Sequence, residues 1–171
     1  MTATRTGNGI IVGVDNGVNG GLCAISESGG DIISYTVMPT LERKGKKEVD
    51  VTAFKKWVDD LYSPPRIAVE EPLRHAKSSQ AVRSMALNFG KILGLSESKG
   101  WPILEVEVSA WQKEMLGTVS KGQTKVVAAK FADQISGGCS FLKSERSKVP
   151  HDGIVDAYLI AVYARKNFHL F

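Results

Sequence analysis

The first forty residues contain three apolar runs separated by turn residues. Residues 10–15 are almost continuously apolar, a turn rich in Asn and Gly covers 16–21, and a second apolar run covers 22–26. A third run covers 32–38 and ends before Pro39, which lacks the N–H that a paired strand needs. This pattern predicts an antiparallel meander of three strands.

The rest of the chain alternates helical and extended patterns. Strands are predicted at 67–70 and 103–108, and a helix capped by Asp50 is predicted at 51–61. Further helices are predicted at 80–98, 110–116, 124–135 and 152–166. Alternation of strands and helices favours parallel pairing, so we expect an α/β fold with a mixed sheet of about five strands flanked by helices. We expect one domain over residues 1–171, with residues 1–9 flexible.

The long predicted helix at 80–98 is amphipathic. Its apolar residues recur every three or four positions, which places Arg83, Asn88 and Lys91 on the polar face. Gly90 and Gly94 weaken the helix and would permit close packing against a neighbour.

Acidic residues stand where several of these elements begin or end. Asp15 ends the first strand, Glu70 and Glu71 end a later strand, and Asp152 and Asp156 open the last helix. The apolar sequence around them supplies no cationic neighbour. Two carboxylates about 4 Å apart repel by roughly 4 kcal/mol at an effective dielectric near 20, so a cluster of them requires a counterion. A divalent metal, above all Mg²⁺, is the expected counterion.

The spacing of these acids leaves two choices open. Side chains alternate along a strand, so only one of Glu70 and Glu71 can join the cluster, and spacing does not select which. Asp152 and Asp156 lie on one face of a helix, within reach of a single cation. Asp152 has the alternative role of N-cap. Asp156 has no such role, because residues 154–164 are apolar nearly all round and predict a buried helix.

Composition and charge permit a nucleic-acid partner without requiring one. The net charge is +4, the pI is near 9.1 and 43% of the residues are hydrophobic. Cys23 and Cys139 have neither zinc-ligand spacing nor the density of a disulfide framework, which indicates a reducing compartment. No apolar run approaches the roughly 18 residues of a membrane span, so we expect a soluble, intracellular, cytoplasmic protein without membrane contact.

Two further features are not expected to bind small ligands. Residues 117–124 have the glycine spacing of a P-loop, but Gln123 stands where the phosphate-binding lysine is required, so no nucleotide cofactor is expected. The helix start at Thr124, beside Lys121, still suits a phosphate oxygen of DNA. The three tryptophans are expected to pack in the core or in an interface, and they are Trp57, Trp101 and Trp111.

Three motifs together resemble a known family. They are Ile-Val-Gly-Val-Asp15 with its glycine turn, Ala-Val-Glu70, and His151-Asp-Gly-Ile-Val-Asp156-Ala. In this order they resemble the RuvC family of Holliday junction resolvases, in particular its phage and organelle-like branch. The resemblance implies a ribonuclease H-like fold and catalytic, metal-binding acids at Asp15, Glu70, Asp152 and Asp156, which selects Glu70 over Glu71. It also implies a Mg²⁺-dependent endodeoxyribonuclease with two metal ions per active site, for which Mn²⁺ can substitute.

The chain departs from the family pattern at three positions. Bacterial RuvC proteins have their last two acids one residue closer together than Asp152 and Asp156, and the form here is similar to the phage variant, which implies a phage gene in a bacterial host. A histidine takes the third acidic position in some relatives, so His151 is either a further metal ligand or a turn residue. Leu73 stands where bacterial relatives place an aromatic wedge, and leucine inserts but stacks less well.

Basic residues are the expected contacts for DNA phosphates. By resemblance, Lys113 and Lys125 support phosphates near the active site. Two loops provide further candidates, whose alternative role is that of an ordinary solvated surface. These candidates are Arg43, Lys44, Lys46, Lys47, Arg74, His75 and Lys77.

The expected function is cleavage of four-way and other branched DNA by paired nicks, through hydrolysis with two metals. Paired nicks suit a homodimer, and the resemblance assigns the dimer contact to the helix at 80–98. A flap nuclease or an RNA/DNA hybrid nuclease of the same fold would use the same acids. A DNA-binding module without chemistry is disfavoured because all four acidic positions are present. An actin-like ATP-binding domain shares the Asp-x-Gly turn but needs a second domain, for which the chain has no room.

Overall fold

The meander of three strands forms as the sequence predicts. The computed structural model describes residues 9–73 and 78–171. Strand β1 (Ile10–Asp15) pairs antiparallel with β2 (Gly21–Ser26), which pairs antiparallel with β3 (Ile32–Val37). The turn after β1 therefore joins two strands of one hairpin, and it holds Asp15 at the end of a buried strand.

A second β-hairpin follows the meander where the sequence indicated a loop. Strands β4 (Thr40–Arg43) and β5 (Lys46–Val49) pair antiparallel and form a separate two-stranded sheet. Lys44 and Gly45 form the turn with φ of 51° and 70°, the left-handed conformation that a tight hairpin turn requires. The loop assignment for the basic residues 43–47 is therefore wrong. Charged residues cover much of both strands, so the apolar alternation that marks a strand is weak in this sequence.

The second half of the chain contributes two parallel strands to the main sheet. Strand β6 (Pro65–Glu70) pairs in parallel with β1, and β7 (Ile103–Val106) pairs in parallel with β6. The main sheet has five strands in the order β3-β2-β1-β6-β7, so the predicted mixed sheet is confirmed. Because β1 and β6 are parallel neighbours, Asp15 and Glu70 at their carboxyl ends lie at the same edge of the sheet.

Five helices flank the sheet within residues 9–73 and 78–171. They are α1 (Val51–Asp59), α2 (Ser79–Lys99), α3 (Val108–Leu116), α4 (Thr124–Ser136) and α5 (Asp152–Lys166). Asp50 caps α1 as predicted, because its carboxylate accepts hydrogen bonds from the N–H groups of Thr52 and Ala53. The strand predicted to reach residue 108 ends at Val106, since α3 already begins at Val108. None of the helices in this part of the chain has the combined length and apolarity needed to cross a bilayer.

The main sheet separates two hydrophobic cores, because strand side chains alternate between its faces. One core surrounds α5, which is buried on nearly all sides as predicted, with α3 and α4 beside it. The other lies beneath α1 and α2 and includes Phe54, Ile92 and Trp101. In the described part of the chain, a Cβ added to Gly90 or Gly94 of α2 would meet no atom within 4 Å, so neither glycine serves close packing there.

Glycines bring α5 very close to β1 and β2. A Cβ on Gly13 would lie 2.0 Å from the carbonyl oxygen of Ala157, and one on Gly21 would lie 2.6 Å from the carbonyl oxygen of Gly153. Gly20 also forms an isolated parallel β-bridge with Gly153. Neither Gly20 nor Gly21 adopts positive φ. Close approach of α5 requires glycine at Gly21, whereas a Cβ on Gly20 would lie 2.1 Å from the carbonyl oxygen of Asp15 within the turn itself.

Candidate active site

Asp15 ends β1 and lies at the entrance of the glycine turn. Its Oδ1 accepts a hydrogen bond from the N–H of Gly17, at 3.1 Å. Burial raises the pKa of Asp15 above its ordinary value, while the Gly17 N–H and the nearby positive charge of Lys125 act in the opposite direction. The sheet therefore holds this carboxyl at an edge where its ionised form is poorly solvated.

Glu70 ends β6, next to Asp15 on the neighbouring strand, and is only 9% exposed. Its Oε1 accepts a hydrogen bond from the indole Nε1–H of Trp111, at 2.8 Å. Burial first, and then the charges of Asp15 and Asp156, raise the pKa of Glu70 to about 8, against the lowering effect of the Trp111 bond. Glu71 instead lines a small cavity of about 200 Å³ with Leu73.

The first two turns of α5 supply the remaining acids. His151, not Asp152, takes the N-cap position, so the alternative role of Asp152 as a cap is wrong. Asp152 is exposed and forms an ion pair with Lys125, which α4 contributes. The cationic neighbour that the local sequence lacks is thus supplied by a distant segment. Burial, followed by the charges of Asp15 and Asp152, raises the pKa of Asp156 to about 7, while Lys125 opposes this shift.

A cleft of about 630 Å³ brings most of these groups together. Its lining includes Asp15, Asp152, Asp156, His151 and Lys125, together with residues of the glycine turn and of α2. Glu70 lies outside the lining of this cleft. Across residues 9–73 and 78–171, no three His, Cys, Asp or Glu side chains are grouped closely enough to hold one metal ion in this conformation.

The residues at this edge nevertheless fit a divalent cation. The donor set consists of carboxylate oxygens, which Mg²⁺ prefers. Burial raises the pKa of Asp15, Glu70 and Asp156, and the charge of Asp15 adds to the shift at Glu70 and Asp156, so a bound cation would favour the ionised forms of these carboxyls. Among the residues that the structure describes, the buried Nδ1 atom of His151 has no hydrogen-bond partner, which leaves it as a further ligand atom for a metal.

Three residues at this edge were missed by sequence reasoning. Asn16 donates a hydrogen bond from Nδ2 to the carbonyl oxygen of Glu70, and Asn88 donates one to the carbonyl oxygen of Asn16, at 3.3 Å. Asn88 is 1% exposed, so its assignment to the polar face of α2 is wrong. The available signal was its spacing of four residues from the apolar Ile92, which places both side chains on the same face of the helix. Trp111 is buried as expected, and its indole N–H also donates a hydrogen bond to Glu70.

The predicted DNA contacts are spread over the surface. Lys125 lines the cleft, whereas Lys113 and Lys121 are exposed outside its lining. Leu73 is 42% exposed beyond the end of β6. The hairpin cations Arg43, Lys44, Lys46 and Lys47 are exposed. Arg74, His75 and Lys77 lie outside the described residues, as does most of the segment 1–9.

A basic segment just before α5 was also missed. Lys143, Arg146 and Lys148 are exposed in the eight residues that precede His151. Next to them, Val149 and Pro150 line the cleft. The only sequence signal was a short run of mixed charge, which usually marks a solvated surface.

The sheet order and the acids at its carboxyl edge define a ribonuclease H-like fold of the RuvC type. Two solved structures of one protein show the likeness. T. thermophilus RuvC in complex with Holliday junction substrate has a TM-score of 0.62 and 17% sequence identity, over 92% of this chain and 96% of that chain. Another Thermus thermophilus RuvC structure has a TM-score of 0.51 and 22% identity, over the same shares of the two chains. No protein-family model and no curated protein matches the sequence.

The resemblance drawn from the three motifs is thus supported by the fold over most of the chain. The likeness of fold to T. thermophilus RuvC covers 92% of this chain. At these identities the likeness shows the fold, so the chemistry of this chain has to be argued from its own residues.

Proposed function

We propose that this protein is an endodeoxyribonuclease that depends on a divalent metal and resolves four-way and other branched DNA by paired nicks. One observation carries the proposal: Asp15, Asp152 and Asp156 line one cleft, and Glu70 on the adjacent strand lies within their electrostatic reach. The RuvC-like fold supports it. One of the neighbouring structures is a complex with Holliday junction substrate, which suggests the substrate class.

The four acids would hold the metal, with His151 as a further ligand. The chemistry that two Mg²⁺ ions would supply there is activation of a water for attack on the phosphodiester and stabilisation of the departing 3′ oxygen. Asp15 and Asp156 are held in orientation by the turn at Gly17 and by the packing of α5. Lys125 lies beside Asp152 at the cleft, where its ammonium group can turn from the carboxylate to a DNA phosphate.

Branched DNA would extend from the cleft along basic surfaces. The hairpin cations and Lys121 are exposed and suit backbone phosphates. Lys113 has the same role in the proposal. Phosphate contacts of this kind fix the position of DNA without reading its sequence, as recognition of a branch requires.

A homodimer would place two active sites on a junction with near two-fold symmetry. The outer face of α2 offers a contact surface, because Arg83, Ala86, Leu87, Gly90 and Gly94 are exposed there. Leu87 is 51% exposed, and the two glycines leave room for a second backbone to approach. We expect α2 of one subunit to pack on α2 of its partner.

The direct test is a cleavage assay with Mg²⁺ on four-way, flap, duplex and RNA/DNA hybrid substrates of the same sequence. We expect paired nicks in the four-way substrate that are lost on replacing Mg²⁺ with EDTA. Asp15→Asn and Asp156→Asn should reduce cleavage on the order of a thousand-fold or more while binding of the junction persists. Preferential cutting of flaps or hybrids would identify a different nuclease of the same fold. Wild-type activity in Asp15→Asn would refute the assignment of the site.

A further inference from the structure

Glu70 is held at both its side chain and its main chain. Within the described residues, the carboxylate receives one hydrogen bond, from the indole N–H of Trp111 to Oε1 at 2.8 Å. The carbonyl oxygen of Glu70 accepts a hydrogen bond from Asn16 Nδ2, and Asn88 in turn donates to the carbonyl oxygen of Asn16. The three donors come from three different elements.

The partner of Oε1 is chemically unusual for a carboxylate. An indole N–H is a donor only: it carries no charge and cannot take up a proton. It therefore orients Glu70 without neutralising it, unlike the ion pair that Lys125 forms with Asp152. Trp111 is fully buried, and the α3 backbone and the surrounding core fix its ring. The direction of the N–H is set by packing and does not follow the carboxylate.

We propose that Trp111 is a positioning residue, which holds Glu70 by Oε1 so that Oε2 is presented to a divalent cation at the edge shared with Asp15. This inference rests on the proposed function. Groups that hydrogen-bond to metal ligands fix the orientation of the ligand, and their removal typically costs about 10-fold to 100-fold in metal affinity or activity. The bond also keeps the carboxylate from turning away from the edge while Asp15 and Asp156 repel it.

A structural role is the competing explanation, since a buried indole N–H needs an acceptor of some kind. The two roles differ in what the removal of the N–H changes. A purely structural bond affects unfolding only. A positioning bond affects metal affinity at constant fold.

The test replaces Trp111 with Phe, which keeps an aromatic ring but removes the donor. Trp101→Phe is the matched control, because Trp101 is also buried but belongs to the other core. Binding of Mg²⁺ or Mn²⁺ to the protein alone is measured by calorimetry, together with cleavage over a range of Mg²⁺ concentrations. We expect Trp111→Phe to weaken metal binding about 10-fold to 100-fold and to require correspondingly more Mg²⁺ for cleavage, with junction binding in EDTA unchanged. Trp101→Phe should match the wild type in metal affinity, in the Mg²⁺ concentration needed for cleavage and in junction binding.

A second measurement applies if Trp111→Phe does not fold. The chain has three tryptophans, so the double variant Trp57→Phe/Trp101→Phe retains Trp111 alone, and its single indole N–H resonance reports on the bond to Glu70. Addition of Mg²⁺ should shift this resonance, and Glu70→Gln should abolish the shift. A folded Trp111→Phe variant with wild-type metal affinity would overturn the inference. So would an indole N–H resonance whose chemical shift does not change when Mg²⁺ is added. If metal binding responds as expected but no branched DNA is cut, the proposed function fails and the positioning role stands.

Discussion

Gly20 and Gly153 form a parallel β-bridge that joins the turn after β1 to the first turn of α5. A Cβ on Gly153 would lie 2.5 Å from the Cα of Gly20 and 2.6 Å from the carbonyl oxygen of Asn19. This contact fixes the start of α5, and with it Asp152, against the end of the strand that carries Asp15.

Replacement of Gly153 by alanine should therefore damage both fold and site. Overpacking against backbone atoms that cannot move aside typically costs about 1–3 kcal/mol, and the shift that relieves it displaces the start of α5. We expect a lower midpoint in urea denaturation and a loss of cleavage. Gly94→Ala is the control, because open space surrounds Gly94 in α2 and alanine there should stabilise the helix by up to about 1 kcal/mol. Equal stability of the two variants would contradict the close contact.

Metal-free protein should lose stability as the pH rises from about 4 to about 8. Burial and neighbouring carboxylates raise the pKa of Glu70 to about 8 and that of Asp156 to about 7. In the unfolded chain both groups ionise near pH 4, so between these limits the folded chain binds more protons than the unfolded chain. The free energy of unfolding therefore falls with rising pH, by at most about 1.4 kcal/mol per pH unit for each group.

Thermal denaturation in EDTA at about pH 5 and about pH 8 checks this dependence. Asp156→Asn should show a weaker pH dependence than the wild type, and a higher stability at the upper pH, since it lacks one of the two carboxyls. Saturating Mg²⁺ should also weaken the dependence in the wild type, because a bound cation favours the ionised acids. A wild-type protein in EDTA that gains stability over this range would show that the carboxyls are not held as described.

Lys125→Met should change DNA binding more than it changes stability. The Lys125–Asp152 pair is exposed, and exposed pairs of this kind contribute about 1 kcal/mol or less. If the ammonium turns to a phosphate, its removal should reduce the slope of log K against log salt by about one. Fluorescence anisotropy with a labelled junction over a range of salt concentrations measures the slope. Lys130→Met on the same helix, outside the lining of the cleft, is the control for the change of charge.

Simultaneous replacement of Lys44, Lys46 and Lys47 by alanine should weaken junction binding and leave metal binding intact. Each lost phosphate contact lowers the salt slope by about 0.9, so the full set lowers it by up to roughly 2.7. The control is a triple variant with the same change in net charge at the exposed positions Lys56, Lys130 and Lys166, on three different helices. Equal losses in the two variants would show a general effect of charge rather than a DNA contact by the hairpin.

The sequence predicted those parts of the fold whose signal is local. Short, nearly continuous apolar runs predicted the strands that end at Asp15 and Glu70, and the apolar stretch after Asp152 predicted the full extent of α5. The pairing of β1 with β6, which places Asp15 and Glu70 at a common edge, was not predicted and comes from the structure. Convergence of the first and last acids in one cleft is in keeping with the motif order, and their catalytic roles stay a prediction.

The parts that the sequence did not predict depend on distant contacts. Asn88 is a polar residue at an apolar position of α2, and only its partners Asn16 and Val49 explain it. Trp111 has the apolar character of any core residue, and its bond to Glu70 spans 41 positions. Gly21 was attributed to the turn because the helix that it approaches, α5, lies more than a hundred residues away in the sequence. Local patterns carry no information on such pairings.

The hydrogen bonds of Asn88 connect α2 to both the active-site edge and the β4–β5 hairpin. Its side chain donates to Asn16 beside the first acid and accepts, at 3.1 Å, from the N–H of Val49 in the lysine hairpin. Rotation of α2 about its axis by a single residue, about 100°, would leave the carbonyl oxygen of Asn16 and the N–H of Val49 buried without a hydrogen-bond partner. These two hydrogen bonds therefore fix the rotation of α2 about its own axis. In the proposed homodimer, a second subunit packed on the outer face of α2 would then hold the two active-site clefts at a fixed angle.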